Sequence, residues 1–186
     1  MLRKIVIGTV LVSLILIFTG CAGSTSPPVP APTPPPEATP TPAPASPSNP
    51  RPSGPIEAAW IESQVAGDTM SILVSEVKDN WNTHFSLETE DGNLNFMAYI
   101  LDGIIHVRAN VCPPCRSIGY SIVEGILLVC DRCATTFEAK TGEGIKGACV
   151  DYPKASVPYE INGDNIVMNK VDLRSAYQNT LKPGWP

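Results

Sequence analysis

Cys112, Cys115, Cys130, Cys133 and Cys149 are crowded into one stretch of the 186-residue chain. Four of them make two C-x-x-C pairs, Cys112-Pro113-Pro114-Cys115 and Cys130-Asp131-Arg132-Cys133, with 14 residues between the pairs. Two residues between cysteines let both sulfurs of one turn converge on a single ion, while the amides of that turn face and stabilise the thiolates. Two such turns close a four-sulfur site, so the spacing points to metal ligation by Cys112, Cys115, Cys130 and Cys133. Tetrahedral sulfur sites take zinc, a single iron or an iron-sulfur cluster, and spacing alone does not choose among them.

Two other uses of the cysteines compete with metal. Structural disulfides suit an oxidising compartment, but paired C-x-x-C turns constrain a chain less than bridges between distant cysteines would. A thioredoxin-like redox pair opens a helix that lowers the pKa of its first thiol, whereas Arg116 to Val129 contains Gly119 and Gly125 and alternates like a hairpin. Cys149 is open to three roles: a packing residue, a thiol beside the centre, or a substitute ligand. The two histidines, His84 and His106, fit surface or satisfied sheet positions. His106 stands six residues before Cys112 and joins Cys149 as a candidate for a place near the site. No catalytic constellation accompanies the cysteines, and an electron carrier rather than a catalyst is expected.

The elements that must hold these residues read as short strands. Ser71 to Val77 alternates weakly, Thr83 to Leu87 is a brief run, and Leu94 to Leu101 leads through Asp102-Gly103 into Ile104 to Ala109. A two-residue Asp-Gly turn supplies the positive φ that a tight hairpin requires. Ile122 to Val129, with Gly125, and Val157 to Met168, with Asn162-Gly163, suggest further hairpins. Helices are expected only around Ile56 to Val65 and Leu173 to Asn179. The expected fold is all-β, a small antiparallel domain over 56–186.

Of the 20 prolines, 14 fall between Cys21 and Pro55, where Glu37 and Arg51 are the only charges. That segment, 21–55, lacks the apolar bulk to fold and reads as a polyproline II stalk. At about 3.1 Å per residue it would reach roughly 100 Å. Residues 1–20 read as an export leader: Arg3 and Lys4, then an apolar run from Ile5 to Phe18. The run ends in Phe18-Thr19-Gly20-Cys21, which resembles the bacterial lipoprotein signal box and implies a lipid on Cys21. An uncleaved membrane anchor is the alternative, although the run is shorter than the roughly 20 residues a span needs. Either reading places the rest outside the cytoplasmic membrane. Beyond the leader, 11 basic residues face 18 acidic ones, a balance that argues against nucleic acid as a partner.

From Cys130 onward, Cys130-Asp131-Arg132-Cys133, Phe137, Thr141-Gly142, Gly147-Ala148, Tyr159 and Asp164 to Val167 resemble the second cluster loop and closing strands of Rieske-type iron-sulfur domains. Both histidine positions of the Rieske pattern are cysteine here, and four thiolates leave a lower-potential centre than two thiolates and two imidazoles. The stretch from Gly92 to Tyr177 is more similar to the FtrD-like family of membrane iron-sulfur proteins, which occur with bacterial iron-uptake systems. Asp102-Gly103, Cys112 to Cys115, Gly119-Tyr120, Cys130 to Cys133, Phe137 and Gly147-Ala148-Cys149 carry that similarity. Ala148 departs from the usual second glycine, and Val150-Asp151 from Asn-Pro. The resemblance implies a Rieske-like domain with four cysteines around an iron-sulfur cluster, a 2Fe-2S cluster first, with zinc or mononuclear iron as alternatives. It also implies a redox partner, for which an iron-transport permease or oxidase is expected, and an extracytoplasmic position on the bacterial cell membrane. A structural zinc domain acting as an envelope binding module is the competing function, with thiol-disulfide exchange third.

Overall fold

A computed structural model describes residues 50–185. The leader, Cys21 and nearly all of the proline-rich stalk lie outside the described residues. Twelve strands and two short helices are present among the described residues, arranged in three four-stranded sheets.

The central sheet contains β1 (Ala59–Trp60), β4 (Asn82–Thr89), β5 (Gly92–Leu101) and β6 (Ile104–Ala109), in the order β1-β4-β5-β6. The β5–β6 hairpin turns on Asp102 and Gly103 at φ 51° and 77°, with Leu101 paired to Ile104, as the Asp-Gly pair predicts. Both faces of this sheet are covered. Phe85, Leu87, Phe96, Ala98, Ile100, Ile105 and Val107 enter one core, whereas Met97, Tyr99 and Leu101 enter a second that contains Cys112, Cys130 and Cys149. Alternate side chains of a strand point to opposite faces, so burial on both sides explains why β5 is buried without interruption from Asn95 to Leu101.

The first core is closed by β2 (Gln64–Ala66), β3 (Thr69–Leu73), β11 (Glu160–Asn162) and β12 (Asn165–Asn169), with the helices α1 (Val74–Asn80) and α2 (Lys170–Thr180). In α2, Leu173, Ala176 and Thr180 are buried on one face. The second core is closed by β7 (Tyr120–Val123), β8 (Leu127–Cys130), β9 (Thr136–Glu138) and β10 (Gly144–Lys146), paired antiparallel in sequence.

Two expectations are corrected. The helix expected over Ile56 to Val65 is extended chain: Ala59 and Trp60 pair in parallel with Thr83 and His84, and Gln64 and Val65 pair with Ser71 and Met70. Sheet partners distant in sequence override the local helical pattern. The strand expected over Ser71 to Val77 stops at Leu73, and Val74 opens α1, whose single buried residue is Val77.

Candidate metal centre

The two C-x-x-C segments fold into the same loop. In the first, the Arg116 N–H donates to Cys112 O (2.7 Å) and the Cys112 N–H to Ser117 O (2.9 Å). In the second, the Ala134 N–H donates to Cys130 O (2.9 Å) and the Cys130 N–H to Thr135 O (2.9 Å). Arg116 and Ala134 occupy the equivalent position after the second cysteine, with φ of 57° and 54°. The left-handed residue turns the chain back on itself and brings the two cysteines of each pair to one side of the loop. Gly119 locks the loops together. The Asp131 N–H donates to Gly119 O (3.1 Å), and a Cβ on Gly119 would stand 2.6 Å from Asp131 Oδ2.

All five thiols converge. The Sγ atoms of Cys112, Cys115, Cys133 and Cys149 lie within 4.8 Å of one another. Cys130 Sγ is 3.7 Å from Cys115 Sγ, and Cys149 Sγ is 3.7 Å from Cys133 Sγ. None of the five forms a disulfide. No helix follows Cys115: the chain turns through Arg116 and enters β7, which removes the helix-opening geometry of a thioredoxin-type pair. Cys112, Cys130 and Cys149 are buried, while Cys115 and Cys133 reach the surface.

Thr135 and Gly147 position Cys149. The buried Thr135 hydroxyl accepts the Cys149 N–H at 3.2 Å and lies 3.2 Å from Cys133 Sγ. Gly147, at φ 124°, leaves no room for a side chain, since a Cβ there would be 2.6 Å from Thr135 Cα. Electrostatics differ among the thiols. Burial pushes the Cys133 thiol up, but hydrogen bonds from the Thr135 side chain and backbone, then from Cys130 and Cys115, bring it down to about 6. Burial pushes Cys112 up, reinforced by Cys115 and Cys149 and opposed by Lys154. Cys130 is also raised, chiefly by burial.

Lys154 and Arg108, which no motif marks, and Tyr120, which the sequence marks only as part of Gly119-Tyr120, complete the surroundings. Lys154 is 1% exposed, donates from Nζ to Val111 O (2.7 Å), and sits 4.4 Å and 5.3 Å from the ring centroids of Phe137 and Tyr120. Burial lowers its pKa to about 8, and the charges of Cys112, Cys130, Cys149 and Cys115 pull it back up. Buried Arg108 donates to Tyr99 Oη (2.9 Å), Lys154 O (2.7 Å) and Lys140 O, tying the central sheet to the cysteine sheet. Tyr120 Oη is buried with no nitrogen or oxygen partner, and burial followed by the charges of Cys112 and Cys130 holds its phenol far above the usual range.

His106 lies in β6 with its ring stacked on Tyr99 (5.5 Å) and is not in the sulfur quartet. Burial, with Arg108 adding to it, lowers its pKa to about 4. His84 is fully buried in β4, edge-on to Trp60 (5.3 Å). The surface groove lined by Trp60, Ile61, Ser63 and Ser86 contains no cysteine.

The donor set fits a metal or iron-sulfur centre. It is all sulfur, and tetrahedral metal–sulfur bonds of ~2.3 Å require sulfurs about 3.8 Å apart, close to the 3.7 Å of the Cys115–Cys130 and Cys133–Cys149 pairs. A scaffold of three β-sheets whose described residues bring together an all-thiol site defines the molecule as a sulfur-ligated metalloprotein. Residues 77–179 match the family described as "Membrane iron-sulfur containing protein FtrD-like". This match spans more than half of the chain, which therefore belongs to that family. No curated protein matches the sequence. Among solved structures, one similar chain comes from a complex of reduced oxygenase and oxidized ferredoxin in carbazole 1,9a-dioxygenase. It is 13% identical, covering 47% of this chain and 81% of that one, with a TM-score of 0.38. A Sphingomonas yanoikuyae B1 ferredoxin is 17% identical over 45% of this chain and 83% of its own, with a TM-score of 0.36.

Proposed function

We propose that the protein is a lipid-anchored, extracytoplasmic electron-transfer protein whose iron-sulfur cluster, a 2Fe-2S cluster, is held by four of the five thiolates. The observation that carries this reading is the convergence of five unbridged sulfurs in a member of an iron-sulfur family. Cys112, Cys115, Cys130 and Cys133 are the first ligand set, because the two loops that bear them share one backbone geometry. A second set, with Cys149 in place of Cys130, is favoured by the mutual 4.8 Å limit that joins Cys149 to Cys112, Cys115 and Cys133. A bound cluster supplies one-electron chemistry. The chain's own contribution is to fix the thiolates, shield Cys112, Cys130 and Cys149 from water, and leave Cys115 and Cys133 at the surface, where a partner protein can approach.

Lipid on Cys21 and the stalk would hold the domain near the membrane. A redox partner there, such as an iron-transport permease or oxidase, would make the electron transfer part of iron uptake. Among the described residues no helix is long and apolar enough to cross a membrane. The test is anaerobic purification of the full chain from membranes, with iron, zinc and acid-labile sulfide measured in the native protein and in Cys130→Ser and Cys149→Ser. Equal iron and sulfide are expected in the native protein, and loss in only one variant identifies the fourth ligand. Stoichiometric zinc without sulfide would replace this function with the structural zinc module.

A further inference from the structure

Lys154 is a buried cation that no carboxylate pairs with among the described residues. Its Nζ has one hydrogen bond, to the Val111 carbonyl, and two aromatic faces, Phe137 and Tyr120. Removing an ammonium from water costs several kcal/mol unless opposite charge repays it, and ring faces with one neutral carbonyl repay only part. The sulfurs lie beside it: Val111, whose carbonyl it binds, precedes Cys112, Tyr120 beneath it pairs with Cys130 in the sheet, and both of its rings pack in one core with Cys112, Cys130 and Cys149. These cysteines, as thiolates, are the negative charges placed to repay it.

The backbone holds Lys154 in this position from both sides. Its N–H donates to Gly142 O (2.8 Å), and its carbonyl accepts from Arg108 Nη1 (2.7 Å). Gly142, at φ 82°, permits that approach because a Cβ there would stand 2.3 Å from Lys154 O. A long side chain that merely filled space would be met more cheaply by methionine or leucine.

We propose that Lys154 is the fixed counter-charge of the sulfur centre: it raises the centre's reduction potential and retains its metal. The proposal rests on the reading of the cysteines as a metal or cluster site. Every electron added to a four-thiolate centre adds one negative charge, so a fixed ammonium favours the reduced state. The same charge offsets the mutual repulsion of the thiolates and opposes loss of the metal.

Three variants of the full chain separate charge from shape. Lys154→Met keeps length without charge, Lys154→Gln keeps a donor for Val111 O without charge, and Lys154→Arg keeps charge. Both neutral variants should shift the reduction equilibrium about tenfold toward the oxidised state, a potential lower by about 59 mV for one electron, while Lys154→Arg stays near the native value. Loss of metal to excess chelator should be about tenfold faster in the neutral variants alone. An unchanged potential in Lys154→Gln overturns the proposal, as does failure of all three variants to load. Loading in Lys154→Arg but in neither neutral variant supports it. Should the native centre prove to be zinc, the electron-transfer reading fails by itself. Chelator loss then decides the role of Lys154, with equal rates in native and Lys154→Gln protein refuting it.

Discussion

Replacing His84 by leucine should leave the protein as stable or somewhat more stable at neutral pH and make it clearly more stable in mild acid. His84 is 0% exposed, and among the described residues its ring nitrogens make no well-formed hydrogen bond beyond a weak one with the Ile118 backbone. Burial lowers its pKa from 6.5 to about 4, with the Ile118 backbone opposing the shift. Because the folded pKa lies below the unfolded one, the native state is penalised as pH falls. The penalty is absent above about 6.5, grows between 6.5 and 4, and is complete below about 4. At ~1.4 kcal/mol per pKa unit, the full penalty is about 3 kcal/mol, of which about 2 has accrued by pH 5. Leucine removes this titration and at least one polar ring atom without a partner, worth about 1–3 kcal/mol when left unpaired. Against that stands the edge contact with Trp60, worth about 0.5–1.5 kcal/mol. Urea unfolding of native and His84→Leu protein at pH 7 and pH 5 measures the difference directly. The variant should gain about 2 kcal/mol on the native protein between the two pH values. Parallel pH dependence would refute the buried, neutral imidazole.

Gly147→Ala should displace Cys149 and weaken metal retention, because the new Cβ meets Thr135 Cα at 2.6 Å and the backbone is at φ 124°; the metal content after dialysis against chelator checks it. Thr135→Val removes the hydroxyl that lowers the Cys133 pKa and accepts the Cys149 N–H. Alkylation of Cys133 in metal-free protein should then require higher pH than the native value of about 6, and an unshifted profile would contradict the hydrogen bond. Cys21→Ala should abolish incorporation of labelled fatty acid and release the chain from membranes into the soluble fraction; a variant that stays membrane-bound would favour the uncleaved anchor.

The parts legible in the sequence are those written in local backbone chemistry. Asp102-Gly103 encodes its own hairpin, since both residues accept the positive φ that the turn demands. Each C-x-x-C pair builds its loop from hydrogen bonds within six residues, so the spacing alone foretells convergence. The parts not legible there depend on distant partners. Nothing within Ile56 to Val65 announces that Ala59 and Trp60 will pair with Thr83 and His84. Arg108 and Lys154 look like ordinary charged positions in a line of sequence, and only the hydrogen bond from Arg108 to the Lys154 carbonyl, 46 residues away, reveals that both are buried and that one fixes the backbone of the other. Cys149 was legible as a residue near the site, but its 3.7 Å approach to Cys133 depends on Gly147 packing against Thr135. One cheap signal was available: Thr141-Gly142 and Gly147 mark close backbone approaches, and both lead to what the glycines approach, Lys154 and Thr135.

The central claim is that this all-thiol site stores and passes single electrons. The most direct test is an anaerobic reductive titration of the full-length protein, following visible absorbance and counting electrons per chain. A coloured protein that bleaches on uptake of one electron and recovers on reoxidation is expected. A colourless protein that takes up no electrons while retaining its metal would contradict it.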